Sequence, residues 1–403
     1  MRALQTGHKY RGIGEVAKQT TDRIVQLAHS DDRDVKFIFY EYDDDDPKEL
    51  LNVPPDVQYE TVKLGPMPEK NLTAGKLDKL RQHYAGLYGS PVKGSGRSDV
   101  FLQFDYAFGV PKNTRTVLIK HDLIPYLFWD KYFESAWVPF KNKAARTTLR
   151  TLFANYKFIR TLKRSLRSAN VILSVSESTK RDVQNFFNVN GKKVKVAHLG
   201  VTLKAAKTDA DTVANDDLPT KPYLLFVGAG DARRRVEDAV AAFNNLKADG
   251  HDVQLVLVGE NFQGTDTIPN PVLRSAVSSS SYKSDILTLG YVDDAVKQDL
   301  FRDAIAFVYP TQYEGFGIPV LEAMLLECPV ISYRNSSIPE VAGEHAYYAA
   351  NWADIKSQTE YILSLSDEEN GRRKKNAKIH AEQFTWDRTA DIIYQELVRV
   401  AKH

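Results

Sequence analysis

The chain has 403 residues, 43% hydrophobic and 26% charged, which suits two soluble globular domains, each with its own core. A formal net charge of +2 gives no overall drive toward nucleic acid, so any electrostatic partner must be sought in local patches. The single cysteine, Cys328, excludes an internal disulfide framework and a cysteine-based zinc site.

In chain order, the opening residues Met1 to His8 lack the apolar core of a signal peptide, and no apolar run approaches the length of a membrane span. A reducing cytoplasm is the expected setting, with any membrane contact confined to the surface. Gly12 and Gly14 precede a helical stretch and suit a loop through which an acceptor or phosphate approaches backbone amides. Short apolar runs then alternate with amphipathic stretches, which predicts β-α units around parallel sheets. The strand candidates are 35–40, 116–119, 171–175, 223–227, 254–258, 305–309 and 329–333. Asp43 to Asp46 form an acidic run after the first strand. Four like charges in a row read as a solvated loop rather than a cation site, and neither a metal nor another cofactor is expected. His121 follows the strand at 116–119, which places its imidazole on a loop at the carboxyl end of a sheet.

Residues 141–167 hold nine Lys or Arg and no Asp or Glu. On a helical projection Leu149, Leu152, Tyr156, Ile159, Leu162 and Leu166 share one face, and Arg146, Arg150, Lys157, Arg160, Arg164 and Arg167 gather beside it. An aromatic stretch including Phe128, Trp129, Tyr132, Phe133 and Trp137 lies upstream. Two readings are open: attachment to an anionic membrane surface, slightly favoured, or a core-packed helix with a solvated basic face. Residues 204–220 are polar and end near a proline, as an interdomain linker would. The boundaries drawn are 1–205 for a first domain, 206–220 for the linker, 221–383 for a second domain and 384–403 for a terminal helical segment.

In the second domain a buried strand ends at Gly228, and Arg233, Arg234 and Arg235 follow before a helical pattern. Guanidinium groups at the carboxyl edge of a parallel sheet can give a diphosphate forked, charge-assisted hydrogen bonds. Tyr291 and Val292 end another strand. Between Tyr313 and Met324 the chain reads Tyr-Glu-Gly-Phe-Gly-Ile-Pro-Val-Leu-Glu-Ala-Met, with seven residues separating Glu314 from Glu322. Gly315 and Gly317 allow a sharp turn close to a ligand, and Pro319 suits the first turn of a helix whose free N–H groups seat phosphate. One carboxylate can hold sugar hydroxyls while the other holds ribose.

This last segment resembles the Glu-x7-Glu signature of the family 4 retaining glycosyltransferases. Residues 227–235, 289–292, 121–125, 174–179 and 384–387 resemble further landmarks of that family, in the expected order. The resemblance implies the α/β GT-B fold, two Rossmann-like doubly wound domains facing across a cleft, with the terminal helix crossing back onto the first domain. It implies transfer of a hexosyl group, with retention, from a nucleoside-diphosphate sugar to a hydroxyl acceptor. That acceptor would be a glycan or lipid-linked sugar in cell-surface polysaccharide or glycoconjugate synthesis, and attachment through the basic segment 141–167 would let the protein reach it from the inner face of the cell membrane. His121, Arg233, Arg234 and Glu314 take the catalytic places. Gly12, Gly14, Gly228, Tyr291, Val292, Gly315, Phe316, Gly317 and Glu322 take donor-binding ones. Glu314 would orient the sugar and Glu322 the ribose. Arg234 stands where the family usually has lysine. The alternatives are a GT-B sugar-nucleotide epimerase and a non-catalytic nucleotide-sugar-binding protein.

Overall fold

The computed structural model describes residues 12–31, 33–41, 51–63, 98–104, 114–128, 145–203 and 218–402. The chain divides into two compact units, Met1–Gly200 with Trp386–His403, and Val201–Thr385. The aspartate run at 43–46, the aromatics Trp129, Tyr132, Phe133 and Trp137, and most of the 204–220 stretch lie outside the described residues.

In the first unit, the helix Gly12–Ser30 buries Val16, Ala17, Ile24, Val25 and Ala28 at near-3.6 spacing. Gly12 and Gly14, expected in a loop, form this helix's first turn. The helical apolar pattern begins at Val16, and a helix entering its core face there draws the preceding residues into its opening turn. Strands β1 (Phe37–Glu41) and β2 (Tyr59–Lys63) pair in parallel, Phe37 opposite Tyr59. A second parallel sheet runs in the order β3 (Val100–Gln103), β4 (Arg115–Lys120), β5 (Val171–Ser174) and β6 (Val194–Val196). Its central strand β5 is buried at every residue, as befits a parallel sheet covered on both faces.

The helix Ala145–Ser168 sends Phe158, Leu162 and Leu166 into a core shared with Leu118, Ile172, Val183 and Phe187. Arg160, Lys163, Arg164 and Arg167 remain exposed. From Phe158 onward the apolar stripe therefore belongs to the core, and the basic row stays on the surface. Tyr156, expected on the apolar face, is 60% exposed. The 3.6-residue period carries it to the edge of the stripe, and Phe158, two residues on, takes the core position. Among the described residues no helix is long and apolar enough to cross a membrane.

The terminal helix Trp386–Lys402 belongs to the first unit and packs on Gly12–Ser30. It buries Trp386, Ala390, Ile393 and Val400. Arg23 Nε reaches Asp387 Oδ1 at 2.6 Å, and the Tyr394 hydroxyl donates to Asp31 Oδ2 at 3.0 Å.

The second unit is one six-stranded parallel sheet. Its strands are β7 (Tyr223–Val227), β8 (Gln254–Val258), β9 (Ile286–Gly290), β10 (Ala306–Tyr309), β11 (Val330–Tyr333) and β12 (Tyr347–Ala349). Their order is β12-β11-β10-β7-β8-β9, so the chain winds outward from β7 to β9 and then returns to wind the other way from β10. This is the doubly wound arrangement, and β8, β10 and β11 are buried along their whole lengths. Each strand candidate from the sequence coincides with a strand to within two residues.

The core assignment of the helix Ala145–Ser168 is tested by unfolding. Leu166→Ala should cost about 2–5 kcal/mol, whereas a change at exposed Arg164 to Ala should stay within about 0.5 kcal/mol. Equal, small effects in urea titrations would remove this stripe from the core.

Candidate functional site

Doubly wound sheets bind ligands outside the carboxyl ends of their strands, where the winding reverses. In the second unit that point lies between β7 and β10, which pair with Phe307 opposite Leu225. The loop after β7 carries Gly228 to Arg235, and the loop after β10 carries Pro310 to Gly317. Arg233 and Arg234 are brought into contact there with Glu314, which is 81 residues from Arg233 in sequence.

Arg233 lies in the 3₁₀ turn Ala232–Arg234 with its side chain buried. Its Nη1 donates to Glu314 Oε1 at 2.5 Å and to the Tyr313 carbonyl oxygen. Glu314 Oε1 also accepts from the Tyr309 hydroxyl at 2.7 Å and the Thr311 hydroxyl at 3.2 Å. The bonds from Arg233, Tyr309 and Thr311 to the Glu314 side chain all converge on Oε1, while that side chain keeps 11% of its surface exposed. The backbone around Glu314 is pinned as well. Its N–H donates to Ser336 Oγ at 2.9 Å, and Ser337 Oγ donates to the carbonyls of Glu314 and Phe316 at 3.0 and 2.7 Å.

Burial alone would raise the pKa of Glu314, but the charges of Arg233 and Arg234 and the Tyr309 hydrogen bond outweigh it and hold the carboxyl below its ordinary value. Glu314 is therefore an anion in the interior. Arg234 is held more loosely. Its Nη1 donates to the Ala229 carbonyl at 3.2 Å, and its Nε lies 3.5 Å from Glu314 Oε1. That Nε is buried and makes no hydrogen bond, so the guanidinium retains unspent donor capacity. Gly228 makes room for it. The glycine has φ +144°, and a Cβ there would stand 2.4 Å from Arg234 Nη1.

The Glu-x7-Glu segment follows. Gly317, at φ 110°, ends the turn and precedes the helix Ile318–Leu325, with Pro319 in its first turn. Gly315 lies between Glu314 and Phe316, whose ring is buried against Phe384 with centroids 6.0 Å apart. The Phe316 ring thus belongs to the core, and its carbonyl is taken by Ser337. Glu322, one turn into the helix, is 3.3 Å from Lys297 Nζ. Burial works against the Lys297 charge, but Glu322 and Asp294 outweigh it and raise its pKa. At the end of β9, Tyr291 is 75% exposed and Val292 is buried.

His121 follows β4 in the first unit, buried, with its carbonyl accepting from Thr179 Oγ1 at 3.3 Å. Gly12 and Gly14 also belong to that unit. Four residues of the second-unit cluster were not legible in the sequence: Asp231, Tyr309, Thr311 and Lys297. Tyr309 reads there simply as the last apolar residue of a strand. Asp231 carries the one available signal, an acid two residues before an arginine pair. Among the described residues no group of three or more His, Cys, Asp or Glu is placed to hold a metal ion.

The model of the family "Glycosyl transferases group 1" matches residues 209–382, a span within the second unit. The chain is 27% identical over 234 residues to the O-antigen chain mannosyltransferase B of Escherichia coli, covering 57% of this chain and 60% of that protein. It is 26% identical over 261 residues to the MMP alpha-(1->4)-mannosyltransferase of Mycolicibacterium hassiacum, covering 61% of this chain and 59% of that one. The matches thus span about 60% of the length of these two relatives. Among solved structures, WaaG, a glycosyltransferase involved in lipopolysaccharide biosynthesis, superposes with a TM-score of 0.61 at 13% identity, over 94% of this chain and 95% of that one. That likeness establishes the fold, the two Rossmann-like units of the GT-B glycosyltransferases.

The charge state of Glu314 makes a pH prediction. Its folded pKa lies below the unfolded one, so its stabilisation is complete above the unfolded value and is lost as pH falls through the folded one. Glu314→Gln should therefore melt lower than the wild type at pH 7, with the gap closing below about pH 4, the ordinary glutamate range. A gap constant from pH 7 to pH 3 would mean that the carboxylate's charge does not hold the loop.

Proposed function

We propose that the protein is a retaining glycosyltransferase that moves a hexosyl group from a nucleoside-diphosphate sugar to a hydroxyl of a glycan or lipid-linked sugar. The observation that carries this reading is the meeting of Arg233, Arg234 and Glu314 at the winding reversal of the second unit. The family match over that unit supports it, and the names of the two mannosyltransferase relatives make a mannosyl donor the first to try.

The donor's diphosphate meets Arg234, whose Nε has no hydrogen bond of its own, and Arg233 stands beside it. As the bond between anomeric carbon and phosphate oxygen breaks, negative charge grows on the leaving group. Arginines already in place stabilise that charge without reorganising. The acceptor attacks from the face that the diphosphate leaves, and the departing phosphate oxygen takes the acceptor's proton, so no separate carboxylate base is needed. Glu314, locked through Oε1, orients sugar hydroxyls, and Glu322 takes the ribose in exchange for part of its contact with Lys297. Tyr291 and Val292 lie along the base, and the backbone of Gly315 to Gly317 approaches the sugar. His121 is assigned to the region of the anomeric carbon. The positive charge comes from arginines rather than a cation, and a working protein free of metal follows from this.

Arg233→Ala should fold and lose roughly two orders of magnitude or more in kcat, while Arg234→Lys should lose far less. Transfer should persist in EDTA. Normal turnover by folded Arg233→Ala, or EDTA inactivation reversed by Mg2+ or Mn2+, would overturn these assignments in turn.

For location, we propose reversible attachment to an anionic leaflet through Arg160, Arg164 and Arg167, which are exposed on the helix Ala145–Ser168. Each such charge near the surface contributes on the order of 1 kcal/mol, weakened by salt. Vesicles containing anionic lipid should pull down the wild type at low salt and release it at high salt. The triple change of these residues to Glu should abolish binding, and equal binding by that variant would end the membrane assignment.

A further inference from the structure

Among the described residues, two carboxylates lie close to Arg233 and Arg234. Glu314 is one counter-charge, in direct hydrogen-bonded contact with Arg233. Asp231 is the other: its Oδ1 lies 3.4 Å from Arg233 Nε and its Oδ2 lies 3.7 Å from Arg234 Nε. Two guanidinium groups thus face two carboxylates. The carboxylates differ in exposure. Glu314 is buried and fixed by Tyr309, Thr311 and Arg233, whereas Asp231 keeps 32% of its side-chain surface exposed and faces both arginines beyond ordinary hydrogen-bond distance. Asp231 also opens the 3₁₀ turn without capping it through its side chain.

A phosphate group needs the donors that face Asp231, among them the buried Nε of Arg234 that makes no hydrogen bond. We propose that Asp231 is a positioning residue and built-in competitor for diphosphate: it holds Arg233 and Arg234 apart and in place when the site is empty, and it opposes the bound anion by its charge. This rests on the diphosphate-binding reading above and adds a cost to tight binding that would speed departure of the nucleoside diphosphate product. Glu314, bonded to Arg233, Tyr309 and Thr311 through one oxygen, is the less suited of the two to give way to an incoming anion.

Inorganic pyrophosphate tests the inference without any need for the true donor. Titration calorimetry on the full chain should show Asp231→Asn binding pyrophosphate about tenfold more tightly than the wild type at low salt, with the advantage shrinking as salt rises. Asp231→Glu, which keeps the charge, should bind as the wild type does. Asp231→Ser is a second neutral variant and should also bind more tightly. A purely structural role for Asp231 predicts the opposite, weaker binding in both neutral variants. If the wild type binds pyrophosphate and the folded neutral variants bind it no more tightly, the competitor role is wrong and the diphosphate site stands. If the wild type does not bind pyrophosphate, the diphosphate reading fails and this inference fails with it.

Discussion

A carboxylate moved out of water loses several kcal/mol of solvation, and only a matched set of charges and donors can restore it. Glu314 meets that condition through Arg233, Tyr309 and Thr311, all bonded to the same oxygen. Once this anion is placed, much of the surrounding structure is constrained. Arg233 cannot swing away, because losing one partner of a buried pair typically costs about 3–5 kcal/mol. The loop after β10 is held to the turn after β7, with Gln312 N–H donating to the Arg233 carbonyl at 2.9 Å. Ser336 and Ser337 then fix the Glu314 backbone from the side of β11. Arg234, which shares Glu314 only at 3.5 Å, keeps the freedom that a ligand requires.

The sheet order explains why these loops meet at all. Strands β7 and β10 are neighbours in space although two β-α units separate them in sequence. Helices leave them toward opposite ends of the sheet, and the space between the departing chains is open to whatever their loops carry. The strands themselves contribute little chemistry, since Leu224, Leu225, Phe226, Phe307 and Val308 are wholly buried. Tyr309 is the exception. Its ring belongs to the core, stacked near Phe226 and Phe307, and its hydroxyl reaches out to Glu314. One residue thus joins the rigid sheet to the carboxylate.

This division also explains what the sequence disclosed. Strands β7, β8, β10 and β11 are short apolar runs bounded by polar or glycine-bearing loops, and local pattern suffices to find them. Arg233, Arg234 and Glu314 stood out because charged residues in glycine-bearing loops are conspicuous, and Glu322 by its spacing from Glu314. The charge pairing was not legible, because contact between positions 233 and 314 depends on strand order, which no local window contains. Tyr309 was hidden for a related reason: a tyrosine ending an apolar run looks like core until its partner is known. Gly12 and Gly14 misled in the opposite direction. Glycine permits a loop without requiring one, and the amphipathic pattern beginning at Val16 settled the matter as helix. At Tyr156 the helical projection was sound, but a stripe's edge cannot be placed without the neighbouring helix and sheet.

The helix Ala145–Ser168 shows how one sequence signal can support two readings that the fold then separates. An amphipathic helix on a membrane needs its apolar face for the lipid. Here Phe158, Leu162 and Leu166 already fill a core beside β4 and β5, and withdrawing them would expose that core. Insertion by this part of the helix is therefore incompatible with a folded first unit. The basic row is under no such constraint, since Arg160, Lys163, Arg164 and Arg167 project on the other side. Any attraction this row exerts is one of charge across water, without burial of apolar surface. Such attraction decays over a Debye length of about 8 Å at physiological ionic strength. Contact made in this way would orient and concentrate a protein at an anionic surface while leaving it free to depart, so the attachment proposed for this row is a reversible one.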